Sequence, residues 1–460
     1  MIRLFRIHVP LSLMVLFLSD TAILYGAISL GLISSYATGS DLLHNGGPFG
    51  GQQVLYVILV MLSLYAMGLH HRRYLVDPKN AFLRLVASHA IAFVMLTAVF
   101  YVLPGMRIWL SALGPAMGLS FVGLFVGRIA FVRLAKVEIF RHRILVLGAG
   151  AQARQIEESE KSGRFKCVGF VASDETAIEI PRGRFVPNRG PLADLAAQYG
   201  ATEIVVALEE RRGRLPTEEL LACRLRGMQI SSFSSFIERE TGQVEIQSLD
   251  PSWLIFSDGF SVHHRLQRTI KRAFDVIMSV TLLVFATPVV VTAAVAIWIE
   301  DRGPVFYRQQ RVGLVGRPFM LLKFRSMRPD AESDGIARWA AVRDQRVTRV
   351  GSIIRTTRID EIPQVINVLK GEMSFVGPRP ERPAIVDELS KSIRFYECRH
   401  MAKPGITGWA QINYPYGASL EDARQKLKHD LYYLKNYSLA LDLVILLQTI
   451  RVVLWPQGAR

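Results

Sequence analysis

The sequence predicts a membrane protein of mixed class, an α-helical bundle plus an α/β domain. Three observations lead there. Four apolar stretches fill the first third, each near the roughly 20 residues that cross a bilayer core. A β-branched run ending in glycines then opens an alternation of strand and helix patterns. A proline-interrupted apolar helix follows and leads into a strongly basic C-terminal third.

Composition agrees. Half of the 460 residues are hydrophobic and 20% are charged, against about 25% charged in soluble chains. Such a length suggests several domains of about 100–200 residues each. So much apolar surface excludes disorder as the main state. Three distant cysteines (Cys167, Cys223, Cys398) exclude a disulfide-stapled scaffold and read as thiols in a reducing compartment. The 55 Lys and Arg exceed the 39 Asp and Glu, for a net charge of +16. That excess suits nucleic acid, an anionic membrane surface or a phosphate-bearing substrate, and composition does not choose among them.

The four candidate spans are about Pro10–Leu32, Val54–Leu69, Phe82–Leu103 and Ile108–Ala130. The first follows Arg3 and Arg6 like a signal peptide, but its apolar region is too long and no A-x-A cleavage pattern follows. It reads as a retained span whose Asp20 faces other helices. Lys and Arg concentrate before span one, between spans two and three (Arg72, Arg73, Lys79) and after span four (Arg133, Lys136, Arg141, Arg143). Gly39 to Gln53 has none. Both ends of the bundle are therefore expected in the cytoplasm. With few buried charges expected, the bundle reads as an anchor rather than a transport pathway.

Arg143–Gly150 (RILVLGAG) and the strand candidates Lys166–Val171, Glu203–Leu208 and Met228–Ser232 predict a Rossmann-like parallel α/β domain. Gly148-x-Gly150-x-x-Ala153 fits a dinucleotide fingerprint only in part, and Asp174 stands near the place of a ribose-binding acid. A structural or regulatory domain and a nucleotide-binding one both remain open.

Lys271-Arg272 and Asp275 precede the apolar stretch Val276–Ile299, and Ala273–Ile299 makes a helix of roughly 40 Å. Thr287-Pro288 lies near its middle, where proline removes a donor and bends the helix. A full crossing would export residues 302–382, which hold sixteen Lys and Arg against eight Asp and Glu. Cationic segments stay cytoplasmic. The expectation is a re-entrant helix that dips into one leaflet and returns; the alternative is an ordinary kinked span. Domain boundaries read as 1–140 for the bundle, 141–250 for the Rossmann-like domain, 251–268 for a connector and 269–460 for a C-terminal domain with the re-entrant helix at 273–299.

Four clusters follow: LLKFRSM at Leu321–Met327, RTTRIDEIPQ at Arg355–Gln364, GEMSFVGPRP at Gly371–Pro380 and KPGITGWAQ at Lys403–Gln411. Singly, each has a plain structural reading: a solvated acidic face, a rigid turn, surface cations, a core tryptophan. Together, repeated arginines suit bidentate phosphate recognition, and the adjacent carboxylates Asp360 and Glu361 suit a nucleophile beside a Mg²⁺ ligand.

KRxxD before a proline-broken helix, followed in order by these clusters, resembles the bacterial sugar transferases over about 266–457. They are also called monotopic phosphoglycosyl transferases, or polyprenyl-phosphate hexose-1-phosphate transferases. The upstream spans and Rossmann-like domain are similar to the large members that initiate exopolysaccharide or capsule repeat-unit synthesis. The resemblance implies a mainly helical cytoplasmic catalytic domain on the bacterial inner membrane. It implies that a UDP-sugar gives its sugar-1-phosphate to undecaprenyl phosphate, with release of UMP. Asp360 is then the nucleophile of a covalent phosphosugar intermediate, and Glu361 helps to bind Mg²⁺. Lys323, Arg325, Arg358 and Arg379 hold phosphates. Pro378, Pro380, Gly405, Thr407, Gly408 and Gln411 shape the donor site. Thr287 and Pro288 form the helix break, and Lys271, Arg272 and Asp275 lie near the membrane. A homodimer and other polysaccharide assembly proteins are the expected protein partners, and nucleic acid is not an expected ligand.

Two rivals are a membrane-bound NAD-dependent nucleotide-sugar dehydratase or epimerase and a non-catalytic scaffold of an assembly complex. The first needs a fuller glycine loop and a Tyr-x-x-x-Lys pair, and no tyrosine here has Lys four residues later. The second predicts indifference to loss of Asp360. The tail Leu427–Leu454 (Tyr432, Tyr433, Lys435, Tyr437, then an apolar run) reads either as an interfacial element or as helices packed inward.

Overall fold

The computed structural model describes residues 2–4, 7–9, 11–37, 50–70, 78–135, 142–160, 165–172, 178–187, 190–209, 215–246, 265–328, 346–415, 417 and 419–454. The chain divides into two compact units. One comprises Met1–Lys136 with Phe256–Arg460, and the other is Val137–Ile255.

A short antiparallel pair, β1 (Ile2–Leu4) and β2 (Ile7–Val9), leads the first unit. The helices α1 (Leu11–Ala37), α2 (Gly51–Ala66), α3 (Pro78–Val102) and α4 (Leu110–Ala135) follow. α1, α3 and α4 are long and apolar enough to cross a membrane, whereas α2 is a shorter apolar helix of 16 residues. Leu24, Ile28, Tyr56, Leu64, Leu96 and Leu124 form their common core. Residues such as Leu18, Val94 and Val122 face outward, as lipid-facing positions should.

Asp20 faces the other helices as expected, but the expectation of few buried charges is corrected. Arg128 donates two hydrogen bonds to Asp20 (2.9 and 2.6 Å), His70 lies 3.0 Å from the same carboxylate, and Arg84 is buried as well. Pairing within the bundle is what makes these charges tolerable in an apolar medium.

The second unit is a four-stranded parallel sheet of β3 (His142–Leu147), β4 (Phe165–Val171), β5 (Glu203–Val206) and β6 (Gln229–Ser232). Their order, β4-β3-β5-β6, is that of a doubly wound sheet. Apolar cores cover both faces, one around Leu145, Ile204 and Leu195, the other around Val146, Phe165 and Phe236. Asp174 and residues 251–264 of the expected connector lie outside the described residues.

Helix α5 (Ala151–Glu160) follows β3, α6 (Leu192–Gln198) precedes β5, and α7 (Thr217–Leu225) and α8 (Phe233–Thr241) flank β6. In the first unit again, α9 runs unbroken from Arg265 to Asp301 through Pro288, 37 residues that make about 55 Å of helix. Thr287 Oγ1 donates to the carbonyl of Leu283 (2.6 Å) one turn before. Both halves of α9 pack on the C-terminal domain. Near its start, Lys271 pairs with Asp442 (2.7 Å), and Arg272 donates to the carbonyls of Val368 and Leu369. Asp275 accepts from Ser374 Oγ and the Phe375 amide. Near its end, Ala293 and Ile297 pack with Phe324 and Ile354, and the Glu300 carboxylate accepts from the amides of Arg349 and Val350. Phe285 and Val284 between them are exposed.

The domain itself is mainly helical. An antiparallel hairpin joins β7 (Phe306–Val312) and β8 (Pro318–Phe324). β9 (Ser374–Val376) and β10 (Gly405–Thr407) form a short parallel pair. Around them stand α10 (Arg349–Thr356), α11 (Val365–Lys370), α12 (Pro383–Ser392), α13 (Trp409–Asn413), α14 (Leu420–Lys435) and α15 (Leu439–Leu454). The tail largely follows the inward reading. Tyr432, Tyr433 and Tyr437 are buried rather than interfacial. Tyr433 donates to Val376 O and to Asp442, and Tyr432 stacks on Trp409.

Candidate active site

Three local constraints build the site. Thr348 caps α10 by accepting from the Gly351 amide (2.9 Å). Arg358 after that helix takes φ +59°, a left-handed turn that costs a side-chain-bearing residue on the order of 1 kcal/mol or more. The turn leads into the 3₁₀ segment Ile359–Gln364, which carries Asp360 and Glu361.

Hairpin register sets Tyr307 against Lys323, whose Nζ lies 5.2 Å from the Tyr307 ring centre. Asn367, just after the 3₁₀ segment, locks the hairpin edge to it. Its Oδ1 accepts from the Leu322 amide (3.0 Å), and its Nδ2 donates to Met320 O (2.7 Å).

The turn Pro378-Arg379-Pro380 is pinned by carbonyls. Arg399 donates to Arg379 O (2.9 Å), Arg311 donates to Pro380 O (3.0 Å), and the Gly405 amide donates to Pro378 O (2.9 Å). A Cβ at Gly405 or Gly408 would run into the backbone of Gly377, so these glycines serve close approach of two chain segments.

Electrostatics separate the two carboxylates. Arg379 grips Glu361 with both Nη atoms (2.7 and 3.4 Å), and Arg358 adds a third contact at 3.4 Å. Burial acts to raise the Glu361 pKa, but Arg379 and Arg358 overcome it and hold the group at about 2. Asp360 is 9% exposed and its Oδ1 has no hydrogen-bond partner. Burial and then the neighbouring Glu361 charge push it up to about 6, against the pull of Lys323 and the arginines. Burial, then Arg311, brings Lys323 down to about 8. One carboxylate is thus fixed as an anion while the other titrates near neutrality, beside a lysine that can also lose its proton.

A cavity of about 880 Å³ opens beside the dyad, with Arg358, Glu361, Arg379, Thr407 and Gln411 in its lining. Gln411 donates to Ile406 O, and its Oε1 is buried without a partner. Thr407 bonds Thr449 at 2.7 Å. Asp360 and Lys323 do not line this cavity. Arg325 stands apart, ion-paired with Asp301 at the end of α9. Lys271, Arg272 and Asp275 clamp α9 to the domain. Thr287 and Pro288 lie mid-helix.

Sequence reasoning missed Arg399 and Arg311, which hold the Arg379 turn. Arg399 is 5% exposed, pairs with Asp430 (2.9 Å) and donates to the Tyr396 hydroxyl (2.6 Å). Only the burial of Arg399 and the carbonyl partners of both reveal them, since in sequence they resemble any other cations of a basic segment.

In the α/β unit, Gly148 has φ +129° and no room for a Cβ beside Ala207, as the fingerprint predicts. The amide of Ala151, where a pyrophosphate would meet the helix start, instead donates to the carboxylate of Glu209 (2.9 Å). An anion of the chain itself thus meets the helix start at that position.

The bacterial sugar transferase family matches residues 266–456. UDP-N-acetylgalactosamine-undecaprenyl-phosphate N-acetylgalactosaminephosphotransferase of Aeromonas hydrophila is 43% identical, over 52% of this chain and 56% of its own length. UDP-glucose:undecaprenyl-phosphate glucose-1-phosphate transferase of Escherichia coli K12 is 41% identical over 40% of each chain. Undecaprenyl-phosphate galactose phosphotransferase of Salmonella typhimurium is 31% identical over 71% of each. The chain thus spans about half the length or less of the first two. With the third matched along most of both chains, and with the expected motifs gathered around one carboxylate pair, this protein belongs to the bacterial sugar transferase family.

Proposed function

We propose that the protein transfers a sugar-1-phosphate from a UDP-sugar to undecaprenyl phosphate. The observation that carries the reading is the buried Asp360, with a free Oδ1, beside a Glu361 neutralised by two arginines. The ionised Asp360 oxygen attacks the sugar-linked phosphorus. A phosphorus–oxygen bond forms, the bond to the bridging oxygen breaks, and UMP departs with that oxygen and its electron pair. A phosphate oxygen of the lipid then attacks the same phosphorus, and the carboxylate leaves restored. Arg358, Arg379 and Lys323 balance phosphate charge, the main demand of phosphoryl transfer.

Asp360 Oδ1 and the Glu361 carboxylate are a donor pair that suits Mg²⁺, which needs only one or two carboxylates and completes its shell with water and substrate phosphate. No group of three His, Cys, Asp or Glu converges among the described residues, so such a site would rely on substrate oxygens. Glu361 would hold the ion, which when bound supplies further neutralisation of the phosphates.

In the same proposal α9 is re-entrant and the domain lies at the cytoplasmic face of the inner membrane. Both halves of α9 dock on one domain, which supports a helix that enters and returns on one side. The names of the three relatives above give three different sugars.

The test is purified full-length protein with undecaprenyl phosphate and a panel of UDP-sugars, read by UMP formation, with mass spectrometry of donor-treated protein. UMP release and a phosphosugar adduct on Asp360 are expected. Lipid product accumulating without any adduct would remove the covalent step.

A further inference from the structure

The cavity beside the dyad is lined mainly by apolar surface. Two helices contribute to its apolar wall: Phe274, Met278 and Leu282 from α9, and Leu446 and Leu447 from α15. On α15, Leu443 and Ile450 also line it while remaining 46% and 41% exposed, so the wall continues onto an outward apolar face.

A second cationic group lines the same cavity. Arg84 comes from α3 of the membrane bundle and Arg451 from α15. Their guanidiniums converge on Gly68, where a Cβ would lie 3.3 Å from Arg451 Nη1 and 3.6 Å from Arg84 Nη1. Gly68 has φ +73°, so a side chain there would be strained as well as crowded. Arg84 donates to Met67 O at the end of α2 (2.8 Å), and Arg451 donates to Ile412 O beside Gln411 (3.2 Å).

We propose that this cavity receives the isoprenoid chain of the lipid acceptor, and that the membrane bundle supplies one of its walls through Arg84. The inference rests on the transfer reading above and locates the acceptor within it. A polyprenyl phosphate matches the lining in both respects. Its phosphate meets Arg358 and Arg379, and its leading isoprene units meet the aliphatic faces of α9 and α15. The rest of the chain leaves past Leu443 and Ile450 towards lipid. A polar uridine or sugar has no use for those two faces. On this view the bundle is part of the acceptor site as well as an anchor, and Arg84 is a positioning residue.

The test uses full-length enzyme in nanodiscs. Leu447→Trp should raise the KM for undecaprenyl phosphate about tenfold and leave the KM for the UDP-sugar within about twofold. Arg84→Met should raise the acceptor KM about threefold, and Arg84→Lys should restore most of it. An unchanged acceptor KM in both, or a donor KM that rises in step, overturns the proposal. A diazirine-bearing polyprenyl phosphate, irradiated on the wild-type protein, should label peptides of α9 and α15, and a tenfold excess of phosphatidylglycerol should not compete. Labelling elsewhere, or full competition by the phospholipid, also overturns it. If the wild type releases no UMP from any UDP-sugar, the transfer reading falls by itself, and the labelling pattern still decides whether the cavity takes the lipid.

Discussion

Asp360 and Glu361 are neighbours in the chain with opposite electrostatic fates, and the difference sets the pH response. In the proposed mechanism Asp360 attacks only when ionised, so donor cleavage should rise with pH through about 6. Lys323 helps only when protonated, so the rate should fall again through about 8. A bell-shaped profile of kcat/KM for the donor is expected, and Lys323→Arg should move the alkaline limb upward because the guanidinium stays charged. Asp360→Asn should abolish UMP release, since an amide cannot serve as the nucleophile, while Glu361→Gln should retain folding and weaken the response to Mg²⁺ titration. Arg399→Met should destabilise the fold by about 3–5 kcal/mol, read by thermal unfolding, because it leaves the buried Asp430 carboxylate without its partner. The dyad and the Arg379 turn were legible as motifs because their chemistry is local. Arg399 was not, since its role lies in a carbonyl twenty residues away.

For helix α9, the proposed re-entrant path needs something to fix it. Pro288 was the visible signal in the chain, yet the helix passes through it without interruption. The structure adds a set of clamps at both ends that no periodicity announces: Lys271 to Asp442, Arg272 to the end of α11, and Glu300 to the start of α10. These contacts join residues up to 171 positions apart, so they become visible only when the chain is folded. If they set the path, Arg317→Cys in the hairpin turn, placed in a Cys398→Ser background, should react with an impermeant maleimide only from the cytoplasmic side. Pro288→Ala should leave that accessibility unchanged. Labelling from the opposite side in either protein would mean that α9 spans. Strands β3 to β5 were legible for the contrary reason: each is a short, largely apolar run buried in the sheet, a pattern complete within itself.

Taken whole, the chain places the bundle and the transferase domain in one compact unit and the α/β sheet in another. The order of segments along the sequence hid this, because the sheet interrupts the first unit. Val146→Ala, in the core of the α/β unit, should cost about 1–3 kcal/mol in that unit and leave both substrate KM values within about twofold. NAD should produce no thermal shift in the wild type, given the Glu209 carboxylate at the start of α5. A clear shift with NAD would reopen a nucleotide role for that sheet.

The ion pair between Asp20 and Arg128 also bears on how the protein is made. The carboxylate emerges in the first membrane helix and its guanidinium partner in the fourth, 108 residues later. Until synthesis delivers that partner, the nascent first helix carries an anion that lipid rejects, so it should linger at the translocon and be released only once α4 has followed.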